Sequence, residues 1–107
     1  MRQLSVAELA QWLADSRRPR PLLLDVREPW EFALCRIEGS EPAPLGTLTQ
    51  RLASIDLEQP VVCICHHGTR SFHAGLALER QGCRDVYNLV GGVDAWARQI
   101  DPSVAIY

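Results

Sequence analysis

The fold of this chain is indicated most clearly by the stretch Val61-Val62-Cys63-Ile64-Cys65-His66-His67-Gly68-Thr69-Arg70-Ser71. Its first four residues form an uninterrupted apolar run, which suits a strand covered on both faces, and such strands are usually parallel. Gly68 then marks a short loop, and the apolar residues over 74–78 have helical spacing. The stretch therefore predicts a strand, a loop and a helix in succession, which is the repeating unit of an α/β fold.

The rest of the chain continues this alternation. Two short apolar runs, Leu22–Val26 and Val86–Leu89, predict further strands. Ser5 and Glu8 form a capping-box signal for a first helix that ends near Asp15. Two more stripes of apolar residues have helical spacing and predict further helices. The first stripe comprises Leu45, Leu48, Leu52 and Ile55, and the second comprises Val93, Trp96, Ala97 and Ile100.

No linker, repeat or low-complexity segment divides the chain, and only residues 35–44 are expected to form an irregular loop. Residues 1–107 are therefore predicted to form one α/β domain with a parallel central sheet. Its crossovers are expected to be right-handed, with helices on both faces of the sheet.

Composition excludes several classes of protein. Of the 107 residues, 47% are hydrophobic and 22% are charged, as in ordinary soluble domains. The net charge of −2 leaves no basic surplus for nucleic acid or for an anionic membrane surface. No apolar run approaches the roughly 20 residues of a membrane span. No export signal is predicted, so a cytoplasmic protein is expected whose four cysteines are thiols, namely Cys35, Cys63, Cys65 and Cys83.

Cys65 is the candidate nucleophile, because it directly follows a strand and ligands of open α/β sheets bind at the carboxyl ends of strands. A loop that runs into a helix N-terminus directs backbone N–H groups inward, and the helix dipole adds partial positive charge. Such a cradle lowers a cysteine pKa from about 8.5 and favours the thiolate. Gly68 lets the backbone curl, and Arg70 supplies a permanent positive charge. These residues predict an activated cysteine in an anion-binding loop.

At this loop the sequence resembles the rhodanese family, and three other segments strengthen the resemblance. Leu24-Asp25-Val26-Arg27-Glu28 is similar to the family's signature after an early strand. Ile37-Glu38-Gly39-Ser40 falls where the family has His-Ile-x-Gly-Ala, and Asn88-Leu89-Val90-Gly91-Gly92-Val93-Asp94-Ala95-Trp96 resembles its closing Gly-Gly-x-x-x-Trp motif. Four such motifs in order make a specific match that extends over almost the whole chain.

The resemblance implies a rhodanese-type thiosulfate sulfurtransferase. Cys65 would attack the outer sulfur of a donor such as thiosulfate, hold it as a persulfide and pass it to a thiophilic acceptor. Arg70 would attract the anionic donor. The expected substrate-binding residues are His66, His67, Gly68, Thr69, Arg70 and Ser71, with Asp25 and Arg27 in supporting roles. No cofactor and no metal are expected.

One departure from the family pattern concerns the partner. Cys35-Arg36 stands where the family usually has Gly-His, and this variant is similar to rhodanese modules attached to E1-like adenylyltransferases. The tail Ile100–Tyr107 also resembles the end of such modules. Besides small-molecule donors and acceptors, the resemblance therefore implies a separate partner protein, either a ubiquitin-like sulfur carrier protein or its activating enzyme.

Two other functions remain open. Rhodanese folds also occur as non-enzymatic binding or regulatory modules, although those usually lack the cysteine that this chain has at position 65. Cysteine-dependent phosphatases and arsenate reductases are the second alternative. The phosphatases place five residues between cysteine and arginine, whereas four separate Cys65 from Arg70, and the shorter loop favours sulfur chemistry.

Several neighbouring residues have a structural interpretation beside a functional one. Cys63 is either a core thiol or a disulfide partner for Cys65, and Cys35 is either packed or a second redox thiol. Cys83 is expected to fill space in the core. Trp30 and Phe32 are expected to pack in the core rather than to wall the site.

Asp25 is expected to accept hydrogen bonds from loop amides. Arg27 is expected either to form a structural ion pair or to add to the positive field that attracts an anion to the loop. The histidines and cysteines near residue 65 lack the paired spacing of zinc sites, so no metal site is predicted.

Overall fold

A computed structural model describes residues 1–107 and is built on a five-stranded sheet in which every pairing is parallel. The strands are β1 Arg2–Leu4, β2 Leu22–Asp25, β3 Glu41–Pro42, β4 Val61–Ile64 and β5 Val86–Leu89. Their spatial order is β1-β5-β4-β2-β3, which places β4 in the centre between β5 and β2. The prediction of a parallel central sheet is confirmed.

Five α-helices connect or follow the strands, and they are α1 Val6–Ala14, α2 Pro29–Leu34, α3 Leu48–Leu52, α4 Thr69–Arg80 and α5 Gly92–Gln99. The capping box at α1 is present as predicted, since Ser5 and Glu8 bond each other's backbone N–H groups. That helix ends at Ala14, with Asp15 as its C-cap, close to the predicted end. None of the helices is long and apolar enough to cross a membrane.

The structure corrects the sequence-based prediction at one helix and at two short strands. The stripe that begins at Leu45 is not one helix, because a 3-10 turn over Leu45–Thr47 precedes α3 and Thr47 has non-helical angles (φ −115°, ψ 4°). The predicted loop over 35–44 contains β3, and β1 was missed altogether. Strands of two and three residues are too short to show the alternation that identifies strands in sequence.

The core is divided between the two faces of the sheet, as the side-chain alternation along β4 requires. Val62 and Ile64 face a cluster covered by α1 and α5, and this cluster includes Trp96. Val61 and Cys63 face a second cluster, covered by α3 and α4. Helices therefore cover both faces. Burial also matches the packing interpretation of the three other cysteines, Cys35, Cys63 and Cys83.

The parallel order brings the carboxyl ends of β2, β4 and β5 to one edge of the sheet. Segments 26–28, 65–68 and 90–91 leave the sheet at that edge. The motifs that were separate in sequence therefore meet around the residue that follows β4.

Candidate active site

Cys65 lies at the centre of a tight loop between β4 and α4. The amide of Gly68 donates a hydrogen bond to Cys65 Sγ at 3.0 Å, and Ser71 Oγ lies 3.2 Å from the same sulfur. Gly68 has φ +114°, a left-handed conformation that favours glycine, and this conformation turns its amide toward the sulfur. Cys65 itself is only 1% exposed. The loop thus surrounds the sulfur with donors and leaves little open surface.

Two opposed effects set the pKa of Cys65. Burial raises it, because a charged sulfur is costly to desolvate. Hydrogen bonds from the Ser71 hydroxyl and from the amides of Ser71, Gly68 and His67 favour the thiolate and outweigh burial. The pKa of Cys65 is therefore lowered, as the sequence predicts. By contrast, burial raises the pKa of Cys63 to about 12, so that thiol stays protonated.

Asn88 on β5 is a buried polar residue that sequence analysis missed. Ser71 donates to Asn88 Oδ1 at 2.5 Å, and Asn88 Nδ2 donates to the Gly68 carbonyl at 3.1 Å and to Gln3 Oε1 at 2.9 Å. Asn88 therefore ties the loop to the sheet and competes with Cys65 for the single hydroxyl proton of Ser71. A polar residue inside the apolar run Val86–Leu89 was the available signal.

The N-terminus of α5 holds the first carbonyl groups of the loop. The amide of Val93 donates to Cys65 O at 2.9 Å, and the amide of Asp94 donates to His66 O at 3.1 Å. Gly92 makes this approach possible, since a Cβ there would overlap both carbonyl oxygens. The glycine-rich motif seen in the sequence, Gly91-Gly92, thus lets the N-terminus of α5 approach the cysteine loop and hydrogen-bond its carbonyl groups.

Arg70, the predicted anion-binding residue, is joined to a carboxylate on α2. Its Nη1 and Nη2 donate to Glu31 Oε1 and Oε2 at 2.6 and 2.9 Å. These bonds lower the pKa of Glu31 to about 2 and raise that of Arg70. The amide of Glu28 also donates to Glu31 Oε1, which fixes the carboxylate at the start of the helix. Glu31 was missed in sequence, although it stands at the capping-box position after Pro29.

Tyr107 extends this network and was also missed. Its hydroxyl donates to Glu31 Oε2 and accepts from Arg27 Nη1, both at 2.8 Å. Burial, together with the bond to Glu31, raises the pKa of Tyr107 to about 12 in spite of Arg27. Its ring stacks on His66 with the centroids 3.8 Å apart. One side chain therefore links two arginine–carboxylate pairs and covers part of the cysteine loop.

The structure decides between the two interpretations of Arg27 and corrects that of Asp25. Arg27 Nη2 donates to Asp25 Oδ2 at 2.8 Å, and both side chains have no exposed surface, so Arg27 forms a buried ion pair. The expectation that Asp25 accepts from amides of the cysteine loop was wrong, since its only partners are the guanidinium and amide of Arg27. Arg27 takes up these acceptor sites because it follows Asp25 closely on the same strand end. The pair is a structural support beneath the site.

The remaining loop residues lie at its rim. His66 is half-buried between His67 and Tyr107, and His67 and Thr69 are exposed. Burial, together with His67, lowers the pKa of His66, which favours the neutral ring. The nitrogens of His66 and His67 approach a carboxylate oxygen of Asp94. The two rings are stacked at 26°, however, and such nearly parallel planes do not converge on one metal ion.

Trp30 is not a core residue, contrary to expectation. It is 64% exposed on the first turn of α2, where the helix faces away from the sheet, and its ring meets Tyr107 edge-on at 6.0 Å between centroids. Phe72, which follows the loop on α4, is also an exposed apolar side chain. Exposed aromatic groups therefore flank the candidate site.

Comparison with known proteins matches this geometry to one family. A family model described as a rhodanese-like domain matches residues 5–99. The chain belongs to the rhodanese-like domain family. The crystal structure of a rhodanese-like domain protein from Staphylococcus aureus superimposes with a TM-score of 0.85 at 28% identity, over 100% of this chain and 99% of that one. The fold of the rhodanese-like domain is thus established by sequence and by structure.

Curated relatives of this rhodanese-like domain include sulfurtransferases. Thiosulfate sulfurtransferase GlpE of Pseudomonas fluorescens is 35% identical over 80 residues, which are 75% of this chain and 73% of that protein. Probable adenylyltransferase/sulfurtransferase MoeZ of Mycobacterium tuberculosis is 33% identical over 102 residues. That match covers 94% of this chain and 26% of MoeZ, so the chain spans about a quarter of the mycobacterial protein.

Proposed function

We propose that this chain is a sulfurtransferase that carries sulfane sulfur as a persulfide on Cys65. The observation that carries the proposal is the set of hydrogen-bonding groups around Cys65 Sγ. The Gly68 amide nitrogen lies 3.0 Å from this sulfur, and the Ser71 hydroxyl oxygen lies 3.2 Å from it. Fixed donors of this kind stabilise an anion without reorganisation. The similarity to thiosulfate sulfurtransferase GlpE supports the same chemistry.

The reaction has two half-reactions. In the first, the Cys65 thiolate attacks the outer sulfur of a donor such as thiosulfate, the S–S bond breaks, and sulfite leaves with the bonding electron pair. The protein then holds Cys65–S–S⁻ among the loop amides of residues 66–71. In the second, a thiophilic acceptor such as cyanide takes the terminal sulfur as thiocyanate and restores the thiolate. His66, His67 and Thr69 would line the rim past which the donor enters.

The acceptor that we propose for the protein in its cell is a sulfur carrier protein of the ubiquitin-like class, or the enzyme that activates it. MoeZ is named as a probable adenylyltransferase/sulfurtransferase, and this combination supports a partner of this kind. Trp30 and Phe72 add exposed apolar surface beside the loop, and surface of this type suits contact with another protein. The test adds such a carrier protein with its activating enzyme, ATP and a thiol reductant, because only an activated carboxyl group can accept sulfur from a persulfide. Faster loss of sulfane sulfur from Cys65 than in the same mixture without ATP would support this acceptor, and equal loss would contradict it.

The mass of the intact protein tests the central proposal. Wild type, Cys65→Ser and the matched control Cys83→Ala are incubated with thiosulfate and then with cyanide. Wild type and Cys83→Ala should gain one sulfur and lose it to cyanide, whereas Cys65→Ser should gain none. Sulfur gain by Cys65→Ser would place the chemistry on another cysteine.

A second assay separates the alternative functions. Wild-type protein that gains no sulfur from thiosulfate or from a persulfide donor, yet hydrolyses a phosphate ester, would be a phosphatase. If Cys65 gained no sulfur and also failed to react with iodoacetamide, the protein would be a non-enzymatic binding module.

A further inference from the structure

The positive charge of Arg70 is balanced by a carboxylate of the protein itself, that of Glu31. Both oxygens of Glu31 accept from its guanidinium, and the Glu31 side chain is only 5% exposed. The Glu28 amide and the Tyr107 hydroxyl hold the same carboxylate from two other directions. Four hydrogen bonds therefore keep Glu31 in the position that an anionic substrate of Arg70 would otherwise take.

The second arginine of the site is matched in the same way. Arg27 pairs with Asp25 out of contact with solvent, and one of its Nη1 hydrogen bonds, the one to the Tyr107 hydroxyl, connects the two ion pairs. Two arginines and two carboxylates thus cancel in formal charge. His66 adds none, because its ring favours the neutral form. When Cys65 is a thiolate, these groups together carry one net negative charge, offset only by the loop amides and the partial charge at the N-terminus of α4.

This balance affects donors of different charge unequally. Thiosulfate brings two negative charges to a thiolate, and the two arginines beside it already have Glu31 and Asp25 as partners. A donor with a single negative charge, or with none, meets less repulsion in the same loop.

We propose that Glu31, positioned by Tyr107, is a specificity-determining residue that makes the site select sulfane donors of at most one negative charge, such as organic thiosulfonates and persulfides, over dianionic thiosulfate. This inference rests on the proposed persulfide chemistry of Cys65. With a thiosulfonate, the Cys65 thiolate attacks the outer sulfur of R–SO₂–S⁻ and the S–S bond breaks. The sulfinate R–SO₂⁻ leaves with the electron pair, and Cys65–S–S⁻ remains. With a persulfide R–S–SH, the thiol R–SH leaves after taking the proton, and the same product remains.

Two donors that differ by one charge test the inference. Methanethiosulfonate is thiosulfate with a methyl group in place of one anionic oxygen, so both carry the same transferable sulfur. The second-order rate of sulfur gain by Cys65 is measured by mass for each donor in wild type and in Glu31→Gln. Glutamine keeps the size of the side chain and removes its charge. The thiosulfate rate relative to the methanethiosulfonate rate should rise at least tenfold in Glu31→Gln.

Salt dependence and a second variant make the result specific. In wild type the thiosulfate rate should increase with ionic strength, because salt screens repulsion, and this increase should disappear in Glu31→Gln. Tyr107→Phe keeps the stacking on His66 but frees Glu31 from one bond, so the relative rate should shift in the same direction by a smaller factor. Glu58→Gln is the matched control, since Glu58 pairs with Arg84 at the opposite edge of the sheet.

The outcomes separate the two proposals. An unchanged relative rate in both Glu31→Gln and Tyr107→Phe, with sulfur still gained by Cys65, would overturn the role of Glu31 and leave the sulfurtransferase proposal standing. An equal shift in Glu58→Gln would also overturn it, because overall charge would then suffice. Failure of every donor to load Cys65 in wild type would overturn the sulfurtransferase proposal itself.

Discussion

Arg70 and Glu31 are joined by two hydrogen bonds of 2.6 and 2.9 Å, although they lie 39 positions apart in the chain. The pair connects α2 to the first turn of α4, directly beside the cysteine loop. Two guanidinium nitrogens bond the two carboxylate oxygens one to one, and such two-point charged contacts are among the stronger hydrogen-bonded pairs of proteins. The contact therefore stabilises the site and also sets its charge.

The first prediction concerns the dependence of stability on pH. The folded-state pKa of Glu31 is about 2, below its unfolded value of 4.5, so its contribution is complete above pH 4.5 and is lost as pH falls toward 2. The shift corresponds to on the order of 3 kcal/mol. The difference in unfolding free energy between wild type and Glu31→Gln, measured with urea, should therefore shrink by that amount between pH 6 and pH 2. A constant difference across this range would contradict the assignment.

The second prediction concerns the thiolate of Cys65. Ser71→Ala removes the side-chain hydrogen bond that lowers the pKa of Cys65, so the pKa of this thiol should rise. The measurement is the rate of iodoacetamide modification as a function of pH. Ser103→Ala removes an exposed hydroxyl that bonds Asp101 instead and should leave the midpoint unchanged. Equal midpoints for wild type and Ser71→Ala would show that the loop amides alone set the pKa.

The third prediction compares two glycines. Gly92→Ala should destabilise the protein by more than about 2 kcal/mol, because the new methyl group would overlap the carbonyl oxygens of Cys65 and His66 at a positive φ. Gly46→Ala should change stability by less than about 0.5 kcal/mol, since no atom lies within 4 Å of the added carbon. Thermal unfolding of both variants tests this contrast, and a mild Gly92→Ala phenotype would mean that the loop and α5 separate easily.

The fourth prediction compares a buried and an exposed ion pair of the same residue types. Asp25→Ala should cost about 3–5 kcal/mol, because it leaves the Arg27 charge buried without its partner. Arg98→Ala breaks the exposed pair with Asp94 and should cost less than about 1 kcal/mol. Urea unfolding at neutral pH measures both values. Similar losses in the two variants would show that solvent reaches Arg27.

Local signals in the sequence predicted much of the cysteine loop. The apolar run before Cys65, the glycine at 68 and the helix that follows act over short distances, so neighbouring residues suffice to specify them. The same holds for Ser5 and Glu8, whose reciprocal bonds span three residues. The strands β1 and β3 and the start of α3 were missed, because such short elements form through contacts with the rest of the protein rather than through their own periodicity.

The partners of the loop could not be predicted in this way. Asn88 meets Ser71 across 17 residues, and Tyr107 meets Glu31 across 76. Each contact depends on which strands are adjacent and on where α2 and the tail pack. Trp30 was misassigned for the same reason, since its exposure depends on the face that α2 turns toward the sheet.

By itself, the sequence determined the alternation of strands and helices, the position of Cys65 directly after a strand and the glycines that let the backbone close around it, because these follow from local preferences. The tertiary structure alone decided that Arg70 is matched by Glu31, that Arg27 is matched by Asp25 and that Tyr107 connects the two pairs. Charge balance at a site depends on distances between residues remote in the chain, and only the folded arrangement sets those distances.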